Sequence, residues 1–186
     1  MRIQALKKFK DVKIAKRLLE KINFNTPSVS LMEVCGTHTV QIFKTGVRSG
    51  ISDNIRLLSG PGCPVCVTTA EDIDKAIAIA CSKDTILCCF GDMVRVPGTQ
   101  GSLDSARGGS GANIKIMYSP LEALELASKF PNKKIVLFAV GFETTIPAFA
   151  AVLARAKKQG VKNLFIFPVF KLIPPAIRAL LMSKEI

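Results

Sequence analysis

The sequence predicts an α/β fold with a largely parallel sheet. Strand-like and helix-like segments alternate along the chain, the rhythm of βα units. Two strand candidates, 85–90 and 135–140, are short continuous apolar runs, as parallel strands covered on both faces require. The segments rich in glycine, cysteine and threonine follow directly on strand candidates, and the carboxyl edge of an open α/β sheet is where ligands bind.

Taken in order, residues 3–22 place Leu6, Phe9, Val12, Ala15, Leu19 and Ile22 at three- and four-residue steps, one apolar helix stripe. Arg2, Lys7, Lys8, Lys10, Lys13, Lys16, Arg17 and Lys21 flank it. This basic amphipathic helix reads as a docked surface helix, with a helix lying on a membrane as the alternative. A break over 23–28, with Pro27, separates it from a strand at 29–34. That strand ends in Cys35-Gly36-Thr37-His38-Thr39, and a helical stretch continues through Phe43 to Val47.

The strand at 55–58 leads into Gly60-Pro61-Gly62-Cys63-Pro64-Val65-Cys66, where glycines around Pro61 make a sharp turn. Thr68 and Glu71 have capping-box spacing and open a helix over 71–82, with Ile73, Ala76, Ile77 and Ala80 facing inward. After the strand at 85–90, residues 91–111 form a polar, glycine-rich loop, long enough to be functional or mobile. A short strand at 114–117 follows. Ser119-Pro120-Leu121-Glu122 combines an N-cap, a proline at the first helical position and a capping box, and predicts a helix over 120–130. Past the strand at 135–140, Gly141-Phe142-Glu143-Thr144-Thr145 turns into a small-residue helix at 146–158; a strand at 164–167 and a helix from 174 to 184 complete the pattern. A composition shift near Tyr118 divides the chain into a basic N-terminal helix (1–28), a first α/β lobe (29–118) and a second lobe (119–186).

The 186 residues suffice for one ordinary domain or two small halves. With 26 Lys and Arg against 14 Asp and Glu, the net charge of +12 suits an anionic ligand, an acidic partner or nucleic acid. One tyrosine and no tryptophan leave no stacking platform for nucleic acid. The opening residues lack the apolar run of a secretory signal, and no stretch approaches the roughly 18–20 apolar residues that cross a bilayer. The expectation is a soluble, cytoplasmic protein with no nucleic-acid or membrane partner. Six cysteines without a signal peptide point to thiol, metal or redox chemistry.

Cys63 and Cys66, between a strand and a helix, have the placement of a redox pair, and a nearby helix start favours a thiolate. The same two sulfurs with Cys35 and His38 would complete a Cys₃His zinc site. Cys35 also stands as a soft-metal ligand or nucleophile with His38, the only histidine, beside it. Cys81, Cys88 and Cys89 read as helix and strand core. Glu143, Thr144 and Thr145 are either helix-capping groups or a polar cluster for an anionic or diatomic ligand. Arg95 and Arg107 hold anions or are solvated, and Asp92 has no carboxylate partner close in sequence.

Met32-Glu33-Val34-Cys35-Gly36-Thr37-His38-Thr39, Gly60-Pro61-Gly62-Cys63-Pro64-Val65-Cys66, Phe90-Gly91-Asp92-Met93-Val94-Arg95-Val96-Pro97-Gly98 and Gly141-Phe142-Glu143-Thr144-Thr145-Ile146-Pro147 together resemble the HypD family of nickel–iron hydrogenase maturation factors. The motifs occur in the family's order and cover nearly the whole chain. The resemblance implies a scaffold assembling the iron centre that carries cyanide and carbon monoxide, built with the small chaperone HypC and supplied with cyanide by the HypE–HypF system. It implies that Cys35 holds the iron with support from His38. Cys63 and Cys66 would be the redox-active pair, and Glu143, Thr144 and Thr145 would line the same cleft between two α/β lobes. Family members also carry a second half that binds a four-iron four-sulfur cluster; this sequence has no further C-x-x-C for it. Some members have a second histidine two residues after the first, where Val40 stands here. A thiol-disulfide oxidoreductase and a zinc-stabilised binding module are the alternative readings.

Overall fold

The computed structural model describes residues 11–24, 26–60, 62–109 and 111–183. It divides the chain into two compact units, Met1–Cys63 and Pro64–Ile186.

The first unit contains helix α1 (Val12–Asn23), strand β1 (Val29–Glu33), helix α2 (Gly36–Lys44), a single helical turn α3 (Val47–Gly50) and strand β2 (Ile55–Ser59). The Asp11 carboxylate caps α1 by accepting from Lys13 N and Ile14 N. Leu6 and Phe9 of the expected apolar stripe lie outside the described residues. Of the described stripe residues, Val12, Ala15 and Ile22 are exposed and none is buried, so the expected docking through the apolar face is not seen. The helix is tied down at its far end, where Asn23 donates to Gly50 O at 2.7 Å and accepts from Ser52 N at 2.7 Å. Strands β1 and β2 pair in parallel, Val29 opposite Ile55 through Glu33 opposite Ser59.

The second unit holds α4 (Ala70–Cys81), β3 (Thr85–Phe90), a 3-10 turn (Gly91–Met93), α5 (Leu103–Gly109), β4 (Ile114–Met117), α6 (Pro120–Lys129), β5 (Lys134–Gly141), α7 (Ile146–Lys158), β6 (Leu164–Phe170) and α8 (Ile173–Ser183). Its sheet is parallel throughout, in the order β4-β3-β5-β6. Residues 64–118, grouped by composition with a first lobe, thus share a sheet with the strands that follow Tyr118. Alternation along β3 and β5 sends Leu87, Cys89 and Phe138 to a core with Ile73, Ala76 and Ala80 of α4 and Leu103 of α5. Ile86, Cys88, Leu137 and Ala139 point the other way, against Ala123 and Leu124 of α6 and Phe149 and Val152 of α7. Both faces are covered, which is why these strands read as unbroken apolar runs.

Several local expectations change. The cap of α4 is Thr69, which accepts from Asp72 N; Thr68 instead donates to Pro64 O at 2.9 Å and closes the preceding turn. Strand β6 runs three residues past Phe167, through Pro168. It is an edge strand, where a missing N–H leaves no ladder bond unmade. Cys81 is exposed at the end of α4 and is not core, whereas Cys88 and Cys89 are fully buried. The Ser119–Glu122 capping box is present as expected, with Glu122 accepting from Ser119 N. The described part of the glycine-rich stretch, 91–109, is built, not open loop. Pro97 and Ser102 form a bridge, Gly98 N donates to Gly101 O, both Asp74 carboxylate oxygens accept from Thr99, and α5 follows. Among the described residues, no helix is long and apolar enough to cross a membrane.

Candidate functional site

In the first unit the motifs after β1 and β2 are brought together. Parallel pairing puts the carboxyl ends of both strands at one edge. Gly60 N donates to Glu33 O at 2.9 Å, which draws the turn after β2 across the end of β1. A side-chain carbon at Gly62 would lie 2.2 Å from Cys35 N and 2.3 Å from the Val34 carbonyl carbon. Only glycine permits that approach, and it sets Cys63 beside the Cys35 turn.

Cys35 occupies the N-cap position of α2, and its carbonyl accepts from His38 N at 2.8 Å and Thr39 N at 3.2 Å. Its sulfur faces the backbone N–H groups of His38 and Thr37, which hold the thiol below its ordinary pKa; partial burial opposes the effect without cancelling it. The result is a half-buried sulfur biased toward thiolate. His38 is exposed on the first turn of α2. The turn is braced from beneath. The Glu33 carboxylate accepts from Thr39 Oγ1 at 2.5 Å, and with the Ser59 hydroxyl and Arg48 nearby its pKa lies below the usual carboxylate range. Glu33 and Thr39 were visible in the sequence only as motif neighbours; their pairing needs the strand-to-helix turn to exist first.

Cys63 closes the first unit and is half-buried; Cys66 lies exposed in the turn that opens the second. Among the described residues no three His, Cys, Asp or Glu side chains are grouped as metal ligands.

In the second unit, Asp92 follows β3 and Glu143, Thr144 and Thr145 follow β5, on adjacent parallel strands and so at one sheet edge. Asp92, Arg95 and Arg107 are exposed. Thr145 takes the N-cap position of α7 without a side-chain cap bond. Its side chain lies over Gly141, where an added Cβ would come within 2.6 Å of it. Thr144 is exposed. Glu143 caps a helix, but not its own: Oε1 accepts from Ile173 N at 2.9 Å, at the start of α8. One further group at this edge escaped sequence reading. Lys171, just past β6, places its ammonium 3.7 Å from Asp72 near the start of α4. The strand expected at 164–167 extends to Phe170, which puts Lys171 directly at its end.

The HypD family model, described as "Hydrogenase formation hypA family", matches residues 13–186. The chain is 46% identical over 155 residues to the Hydrogenase maturation factor HypD of Escherichia coli (strain K12), covering 83% of this chain and 41% of that protein. It is 41% identical over 181 residues to its counterpart in Rhodobacter capsulatus (93% and 48%), and 37% identical over 185 residues to that of Cupriavidus necator (97% and 48%). The chain thus spans less than half the length of each of these relatives. A family match over residues 13–186 and identities at this level, on a sequence carrying all four motifs, lead to one conclusion: this chain belongs to the HypD family.

Proposed function

We propose that this chain contributes the iron-holding part of a hydrogenase maturation scaffold, on which an iron cargo acquires cyanide and carbon monoxide. The observation that carries the reading is the Cys35 sulfur, half-buried at the start of α2, with the N–H groups of His38 and Thr37 favouring its thiolate. A thiolate is a suitable ligand for a soft, low-valent metal whose other positions are filled by exogenous diatomics. Gly62 lets the neighbouring turn lie directly against the Cys35 backbone.

In this reading Cys35 is the iron ligand and His38 supports it. Cys63 and Cys66 are assigned as the redox pair. The Thr144 and Thr145 hydroxyls are assigned to ligand binding. The partners are a small HypC-like chaperone and a HypE-like cyanide donor, and the compartment is the cytoplasm. The described residues group no ligand set for a four-iron four-sulfur cluster.

The test is an infrared spectrum of the chain purified anaerobically with the small chaperone, alongside iron and zinc analysis. Cyanide and carbonyl stretches that disappear in Cys35→Ala are the expected result. One zinc per chain and no such bands would replace the scaffold reading with a zinc-stabilised module.

A further inference from the structure

Glu143 stands three residues before α7 in the chain, yet its carboxylate is directed at another helix. Oε1 accepts from Ile173 N at 2.9 Å, across thirty residues of sequence. One turn earlier, Lys171 N donates to Gly141 O at 2.9 Å. One bond from the last residue of β5 and one from the turn after it therefore join this end of β5 to the turn after β6.

The reason lies in how α8 begins. Its first three residues are Ile173, Pro174 and Pro175. The prolines carry no N–H, so Ile173 alone among them has a donor to satisfy. The preceding residue is Leu172, whose side chain has no acceptor. A helix normally obtains its N-cap from Ser, Thr, Asp or Asn immediately before it; α8 takes its acceptor from the end of the neighbouring strand.

The geometry points to Glu143 as a positioning residue, the N-cap that α8 lacks locally. It locks the Gly141–Thr145 turn to the β6–α8 turn, and with it Lys171. The site needs from Glu143 a hydrogen-bond acceptor aimed at Ile173, not a negative charge offered to a ligand. Thr144 and Thr145 follow Glu143 directly in the chain, so the same bond ties the turn that carries them to the start of α8. This assignment is independent of whether iron is the cargo.

Amide hydrogen exchange on the full 186-residue chain tests it. Rates at Ile173 and Ala176 are read as ratios to those at Leu137 and Phe138 in β5, so a general loss of stability cancels. Glu143→Ala should quicken the α8 amides roughly fivefold, the effect of losing one cap. Glu143→Gln should keep their protection, because the amide oxygen accepts the same bond. An alanine variant with unchanged ratios would remove the cap from the account. A glutamine variant as fast as alanine would show that the charge, not the acceptor, is what the residue supplies, and would equally overturn the assignment.

Discussion

In the second unit β3 and β5 are covered on both faces, whereas in the first unit the paired strands β1 and β2 leave Leu31 half exposed and, among the described residues, only Ile55 is fully buried. The two units solve different problems. Four parallel strands between helices hide enough apolar surface to hold their shape through packing. The first unit holds its turn by other means: a backbone close approach at Gly62, the Glu33–Thr39 brace and the Asn23 bonds to the turn around Gly50. Cys35 sits where packing is light and hydrogen bonding is dense. That combination leaves a sulfur reachable while fixing the N–H groups that face it.

The contrast is open to attack by mutation. The largest expected effect is Phe138→Ala in the second unit, where a fully buried ring stacked on Phe167 at 5.4 Å is removed; about 3–5 kcal/mol should be lost in denaturant unfolding. Phe43→Ala in the first unit removes a ring that is 59% exposed and carries the Arg48 cation–π contact. It should cost less than about 1 kcal/mol. Equal losses would erase the distinction between the units.

Gly62→Ala comes next. The new methyl meets backbone on the Cys35 side, which cannot swing away as a side chain does. About 1–3 kcal/mol and a changed alkylation rate at Cys35 are expected. An unaltered rate would mean that the close approach does not shape the sulfur's surroundings. Ser119→Ala, which breaks the capping box of α6, should lower stability by about 1 kcal/mol and leave Cys35 reactivity untouched.

The smallest effect is a pH dependence. The folded-state pKa of Glu33 is depressed, chiefly by the Thr39 hydroxyl and then by Ser59. Its contribution is therefore present above the ordinary carboxylate range and is lost as pH falls through the lower folded value. Acid titration of the wild-type chain against Glu33→Gln, followed at Cys35 by alkylation, should show the turn loosening in that window only when the carboxylate is there.

Much of the architecture could be read from the sequence because it is encoded locally. The apolar runs of β3 and β5, the capping box at Ser119 and the placement of each motif after a strand need only neighbours in the chain. What escaped depends on contacts between distant segments. Thr68 and Thr69 are equivalent as caps until the preceding turn claims the Thr68 hydroxyl for Pro64 O. Pro168 ends a strand by local rules and is permitted by an edge position known only once the sheet is assembled. Glu143 looks like the cap of α7 until α8, with its two prolines, arrives from thirty residues away. At the candidate site, Cys35 and the glycine-flanked turn could be recognised as special, but not that Gly62 lies on the Cys35 backbone.

Cys88 and Cys89 have a use that their chemistry as buried thiols does not announce. Adjacent on β3, they point into the two different cores of the second unit. Burial raises both thiols, Cys88 to about 12 and Cys89 to about 11. Near neutrality both are silent toward electrophiles while the protein is folded. Each therefore becomes a timer for its own layer. Pulse labelling that modifies one before the other would tell which side of the sheet opens first, from two consecutive residues and without adding a probe.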